Sequence, residues 1–418
     1  MISHMTIRRQ LAGVPAGATS LLDDLAWCWW TQPRATRIGD TLFVGGIASD
    51  GDVYAAACDL ATGGTERFVL ARLEPDDHNN PAIVAQGGKP LLAFYSRHDV
   101  DGALRFRASA RADDVAEWGP ERAIGFSAIT TYAQAHAYGD EVHLFTRVGD
   151  TSWGYARSSD WGNSWSSPVG FVSIETDQET YMPTALRADG RTLRLAIAGH
   201  PKNYETQPWH EIRAAVVDLA TGAVTRPSDG RELANLRRGT GLPVRGDQLE
   251  LIYEAPAGRT LNLFDVSDGE MFEVAFATKV ADDSSTEDAW YHVACGRGGT
   301  WQVEDVAPAG AKFGYIDAGF YVGGIVFPHA TSGGSAYVSR ESGGIWHLER
   351  WDRSKPGQWH PRAVFEPTVA RVVRPWPVRN PDEGLEVLAL LLDRYDDDYM
   401  ETLSHLVGGA VRGEQAGP

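Results

Sequence analysis

One short plan recurs along the chain: a glycine-bearing pair, usually Gly-Asp, followed by an apolar or alternating run. It is read in "RIGDTLFVGGI" at 37–47, "AQGGKPLLAFY" at 85–95, "AYGDEVHLFTR" at 137–147, "ADGRTLRLAIA" at 188–198 and "VRGDQLELIYE" at 244–254. "NPDEGLEVLALLL" at 380–392 is a further copy, and "DAGFYVGGIVF" at 317–327 a poor one. Two-residue turns of this kind join antiparallel strands, because glycine accepts the positive φ that primed turns require.

The better copies recur every ~50 residues, a period that suits a four-stranded blade rather than a helical solenoid. Between them lie turns for the outer strands. "CDLATGG" at 58–64 and "VDLATGA" at 217–223 share one pattern. "SSDWGNSW" at 158–165 matches the Asp-box turn S-x-D-x-G-x-S/T-W, and "SRESGGIW" at 339–346 is a degraded version. The Asp-box marks a fold and carries no catalytic group. The expectation is therefore all-β: one seven-bladed β-propeller of four-stranded antiparallel blades over 26–410. Residues 1–25 form an N-terminal lead-in that helps close the ring, and 411–418 a C-terminal tail.

Composition narrows function by exclusion. Of 418 residues, 43% are hydrophobic and 22% charged, enough apolar surface to bury a core, and there is no apolar run long enough to cross a membrane. A formal charge of −18 argues against nucleic acid, since no basic patch offsets phosphate repulsion. An anionic polymer would need a local cationic pocket for the same reason. Cys28, Cys58 and Cys295 are too few and too scattered for a disulfide framework or a zinc knuckle and read as buried thiols. The N-terminus "MISHMTIRRQLAGVPAGATS" has no apolar segment of a signal peptide, which points to the cytoplasm. Its "SHM" resembles a cloning scar, and removal of a native leader would mean a secreted or periplasmic protein. A monomer is expected.

The hairpins bring chemistry together. With Gly139 and Asp140 as turn residues, His136 faces His143 and Tyr132 faces Arg147 across the strands; directly opposed residues share one face of the sheet. In "DDHNNPAIVAQGGKPLLAFYSRHD" at 76–99, a turn centred on Gly88 sets His78 opposite His98. Both pairs lie at the open ends of adjacent hairpins. Inner strands of a propeller run the same way, so His78, His98, Tyr132 and Arg147 are expected at one mouth of the central channel. His136 and His143 lie nearer the turn, away from that mouth.

This set contains no carboxylate pair for glycoside hydrolysis and no nucleophile motif. A histidine exchanges protons near neutral pH, a tyrosine relays one at a leaving oxygen, and an arginine grips a carboxylate in a bidentate fork. Together they suit β-elimination of a 4-linked uronic acid: neutralising the carboxylate acidifies C5–H, and the developing enolate is stabilised electrostatically. Four further residues are candidate substrate contacts: Arg34 and Asn79 at inner-strand starts, Tyr181, and His200 in "AGHP". No clustered ligand spacing indicates a metal, and no cofactor is required, although calcium or zinc could occupy a propeller channel.

Several segments carry a family likeness. "AWCWWTQPRATRIGDTLFVGGIASDGDVYAAACDLATG" (26–63), "DDHNNPAIVAQGGKPLLAFYSRH", "TTYAQAHAYGDEVHLFTR", "YMPTALRADGRTLRLAIAGHP" (181–201) and "RYDDDYMETL" (394–403) resemble the BNR-repeat polysaccharide lyases. That group includes ulvan lyases and L-rhamnose-α-1,4-D-glucuronate lyases, all seven-bladed propellers. The resemblance implies that His78 and His98 are the catalytic histidines, Tyr132 the proton-handling tyrosine and Arg147 the carboxylate neutraliser. It makes His98 the principal base, and the acid too in a syn elimination, with Tyr132 or His78 as the alternative acid. The implied partner is a uronate-containing poly- or oligosaccharide such as rhamnosyl-glucuronate. A glycoside hydrolase releasing rhamnose on the same scaffold, a sialidase and a non-catalytic sugar-binding propeller are the competing readings.

Overall fold

The computed structural model describes residues 13–176, 179–200, 210–280, 288–297, 299–311, 321–382, 384–392 and 404–411. Among them are strands and two short 3-10 turns, with no α-helix. The strands fall into seven sheets that succeed one another in chain order around a central channel. The first strand of each sheet packs beside the first strand of the next: Ala35–Ile38 touches both Ala82–Val84 and Arg371–Asp382.

Hairpins form where the sequence places them. Ile38 pairs with Thr41, Tyr138 with Glu141, and Leu186 with Leu193, each across a glycine-bearing turn. The turns at 59–62 and 218–221 are chemically identical: Asp59 Oδ1 accepts from the backbone N–H of Ala61 and Thr62, and Asp218 Oδ1 from Ala220 and Thr221. This is the local side-chain bond that favours aspartate in turns. In the Asp-box, Ser158 Oγ accepts from Gly162 N–H and Asp160 from Ser164. Trp165 packs edge-on against Phe94 of the preceding sheet, so this turn is structural.

The ring closes by mixing the two ends of the chain. Thr19–Asp23 pairs antiparallel with Ser404–Gly409, which lies beside Leu385–Leu392 and Arg371–Asp382. A closed sheet of this kind leaves no seam between the first and last segments.

The expectation of seven regular four-stranded blades is corrected: five sheets have four antiparallel strands, and the other two have five and seven. The reason lies in "VRGDQLELIYE", which forms no hairpin. Gly246–Gln248 coils into a 3-10 turn, so Val244–Arg245 pairs parallel with Val169–Ser173 while Glu250–Glu254 pairs with Glu211–Asp218 of the next sheet. One segment thereby straps two sheets together. The motif at 394–403, residues 1–12 of the lead-in, most of the C-terminal tail and the first part of "DAGFYVGGIVF" lie outside the described residues.

Candidate functional site

Adjacent sheets deliver the four expected side chains to one mouth of the channel. Ala82 faces Phe94 and Val84 faces Leu92, the register that continues outward to His78 and His98. Neither histidine is in the ladder itself. His78 sits in a 3-10 turn, Asp77–Asn79, whose cap is Asp76, and His98 in the loop after the strand Pro90–Tyr95. The two rings stack with centroids 4.0 Å apart and planes 9° apart.

A single carboxylate orders both rings. Asp76 Oδ1 lies 2.5 Å from His78 Nδ1, and Asp76 Oδ2 lies 2.7 Å from His98 Nδ1. Asp77 Oδ1 is 3.0 Å from the same nitrogen of His78. Burial opposes protonation of His78, but Asp76 and Asp77 outweigh it and hold its pKa well above the usual histidine value. Burial would likewise raise the Asp76 carboxyl, yet its two imidazole partners hold it below the ordinary carboxylate range. Asp77 is buried beside Arg374, whose Nη1 is 2.6 Å from Asp77 Oδ2. The charges therefore offset one another within the protein, as buried ions must.

Tyr132 reaches the site by a different route from the one expected. Arg147 pairs with Thr131, because the register shifts between Thr131 and Gln134. The bulge puts Tyr132 at φ 63°, and its ring turns under the guanidinium, 4.8 Å from Arg147 Cζ. Such a positive φ is unusual for an aromatic residue and gathers at functional sites. The Tyr132 ring lies 5.6 Å from that of His78, joining the two hairpins. Tyr132 is 1% exposed, and burial pushes its hydroxyl well above the usual tyrosine pKa, so it keeps its proton.

Arg147 is 2% exposed, and its Nη1 pairs with Glu179 at 3.1 Å. Burial works against its charge, but Tyr132 and Glu179 raise its pKa above the ordinary arginine value. The Glu179 side chain is 32% exposed and so sits at the rim, a carboxylate already held by the arginine.

Tyr181 stacks flat on Trp30, with centroids 3.5 Å apart, and meets Tyr132 edge-on at 5.7 Å. His200 lies beside Tyr181 at 4.9 Å and its Nε2 is 2.9 Å from the Tyr321 hydroxyl. Both residues belong to the same cluster. Arg34 and Asn79, the other two candidate substrate contacts, are both buried and bonded within the protein. Arg34 is buried between Trp27 and Trp376, with its nitrogens on the carbonyls of Cys28 and Pro375. Burial lowers its pKa to about 9. Asn79 donates to the Glu74 carbonyl and accepts from His98 N–H, so it positions the loop that carries His98.

Asp76, Asp77, Glu179, Tyr321 and Arg374 belong to this cluster and are absent from the sequence reading. Asp76 had a local signal, since an acid just before a short turn caps it. Arg374 and Tyr321 come from far along the chain, and nothing local announces them. Among the described residues, two donor groups could hold a metal: Cys28 with Asp77 and His78, and Asp76 with His78 and His98. Their fit is poor, because Asp76 already accepts from both rings, Asp77 pairs with Arg374, and burial raises the Cys28 thiol pKa.

Fold and site together define an all-β propeller of four-stranded antiparallel blades with a histidine–tyrosine–arginine cluster at one channel mouth. Among solved structures, the chain is similar to a PL25 polysaccharide lyase, an ulvan lyase bound to -[GlcA(1-4)Rha3S]-. The TM-score is 0.72 at 16% identity, covering 97% of this chain and 98% of that one. The polysaccharide lyase Uly1 superposes with a TM-score of 0.57 at 10% identity over 96% of this chain and 100% of that one. At such identities the likeness speaks for the fold. No family model matches the chain. No curated protein matches it either.

Proposed function

We propose that this protein is a polysaccharide lyase that cleaves a 4-linked uronic acid, of the rhamnosyl-glucuronate type, by β-elimination. The observation that carries the reading is the contact chain His98–His78–Tyr132–Arg147, in which a proton acceptor, two protonated groups and a carboxylate receptor adjoin. Likeness to lyases that share this fold supports it, one of them bound to a glucuronate–rhamnose unit.

In this mechanism the uronate carboxylate takes the place of Glu179 on Arg147. Pairing with the guanidinium withdraws charge and acidifies C5–H. His98, oriented through Nδ1 by Asp76, removes the C5 proton through Nε2 once substrate displaces Asp99 Oδ2, which lies 3.4 Å from that nitrogen. The C4–O4 bond then breaks as the C4=C5 double bond forms. Tyr132 or His78 returns a proton to the departing O4; both keep their protons at neutral pH, Tyr132 by burial and His78 by its two carboxylate neighbours. No water enters the bond-breaking step.

Cleavage in oxygen-18 water tests this. Elimination gives an unsaturated uronate with no heavy oxygen at the new ends, whereas hydrolysis places one heavy oxygen per cut and would overturn the reading.

A further inference from the structure

Two arginines meet on the flank of the ring, outside the channel. In the hairpin of Thr184–Leu186 and Thr192–Gly199, Ala185 faces Arg194 and Leu186 faces Leu193. One residue further on, the Arg187 N–H donates to the Thr192 carbonyl, which sets Arg187 opposite Thr192. Side chains alternate along each strand, so Arg187 and Arg194 share one face as diagonal neighbours, about 7–8 Å apart at their backbones. The next sheet packs beside them through its first strand, Arg259–Val266.

Arg194 is 6% exposed, and its guanidinium is occupied by backbone: Nη1 donates to the carbonyls of Ser267 and Met271, and Nη2 to that of Glu270. Those bonds bring it no negative charge. No carboxylate stands at ion-pair distance from it among the described residues, and Asp268, Glu273 and Asp189 act only from farther away. Burial, with the like charge of Arg187, lowers its pKa to about 10. Arg187 is little better supplied: its Nη1 is 3.6 Å from Asp189, and its Nε is buried with no hydrogen-bond partner. A third guanidinium, that of the exposed Arg297, lines the same cavity of about 370 Å³ between the two sheets.

We propose that this flank cavity is a binding site for a small organic oxyanion, a phosphate or sulfate monoester whose head group sits between Arg187 and Arg194. A buried cation without a counter-ion is costly, and an oxyanion would remove that cost while accepting from the unfilled Arg187 N–H. Three guanidiniums also offer more donors than the two oxygens of a carboxylate accept, which favours a tetrahedral head. Phe272, 4.9 Å from Arg194 Cζ, joins Met271 and Val216 as apolar surface for the organic part. Two carboxylates line the cavity as well, but neither neutralises the pair. Glu250 is held by the Trp301 indole N–H and the Ser228 N–H, and Glu270 is exposed. Elimination at the mouth plays no part in this site, and a protein with no lyase activity would keep it.

Calorimetric titration of the full chain with phenyl phosphate, phenyl sulfate and phenol tests this. A chain of formal charge −18 repels anions from most of its surface, so saturable anion binding marks a built site. Both esters should bind saturably, the tighter one naming the head group, and phenol at least roughly tenfold more weakly. Arg187→Gln and Arg194→Met should each weaken ester binding by a similar factor, and Arg147→Lys at the mouth should leave it unchanged. Thermal melting confirms folding, and if Arg194→Met fails to fold, Arg187→Gln decides. Absence of saturable ester binding, equal binding of phenol, unaltered affinity in Arg187→Gln, or loss on Arg147→Lys alone would each overturn the proposal.

Discussion

The imidazoles of His78 and His98 lie face to face, 4.0 Å between centroids, although neither residue belongs to the strands that bring them together. What holds the pair is one carboxylate. Asp76 accepts from Nδ1 of both rings, and His98 Nε2 lies 3.4 Å from Asp99 Oδ2. A shared acceptor of this kind fixes tautomer and ring orientation, as second partners of functional histidines do.

Asp76→Asn keeps the size and removes the charge. The elevated pKa of His78 should then fall toward about 6.5, the unperturbed histidine value. Turnover should drop by roughly 10²-fold, with substrate affinity little changed, as expected when proton transfer is impaired. Histidine-selective NMR titration beside steady-state kinetics measures both. An unaltered His78 titration would show that Asp76 is not its main partner.

The same pair sets a pH window for stability. His78 is raised in the folded state, so its contribution is complete below the unfolded histidine pKa and is lost as pH rises through the folded value. Asp76 is depressed, so its contribution is present above the unfolded carboxylate pKa and is lost as pH falls through the folded one. The melting-temperature gap between wild type and Asp76→Asn should therefore be widest between about pH 4 and pH 6.5 and narrow on either side. A gap independent of pH would contradict this coupling.

Arg374 and Asp77 form a buried ion pair, with side chains 2% and 0% exposed. Removing one partner strands a charge, so Arg374→Met should cost about 3–5 kcal/mol in urea unfolding at neutral pH. Adding Asp77→Asn should recover part of that loss, because the orphaned charge disappears with it. A double variant as unstable as the single one would assign the loss to packing instead.

Much of this was legible in the sequence. The Gly-Asp turns gave strand direction and register, which is why Tyr138 faces Glu141 and His136 faces His143 as expected. Two features were not. The bulge at Tyr132 depends on the Arg147 and Trp30 side chains that its ring meets, and a period-two pattern carries no mark of that. The strap at 244–254 has the composition of a hairpin, yet tertiary pairing with two different sheets overrides the turn propensity. Arg34 looked available at a strand start but is enclosed by two tryptophans from distant segments.

Arg147→Lys probes the proposed carboxylate receptor. A lysine supplies a point charge without the fork, so kcat/KM for uronate substrates should fall by at least roughly 10²-fold while folding persists. Near-normal activity would mean that the guanidinium serves packing against Tyr132 and Tyr181 alone. Tyr132→Phe keeps that packing and removes only the hydroxyl.

The most direct measurement follows ultraviolet absorbance and new reducing ends together as the protein acts on rhamnosyl-glucuronate polymers, with His98→Ala in parallel. Wild type should generate the absorbance of a 4,5-unsaturated uronate in step with each new reducing end, and His98→Ala should generate neither. Reducing ends that appear without absorbance, or equal absorbance from His98→Ala, would contradict elimination by this histidine–tyrosine–arginine cluster.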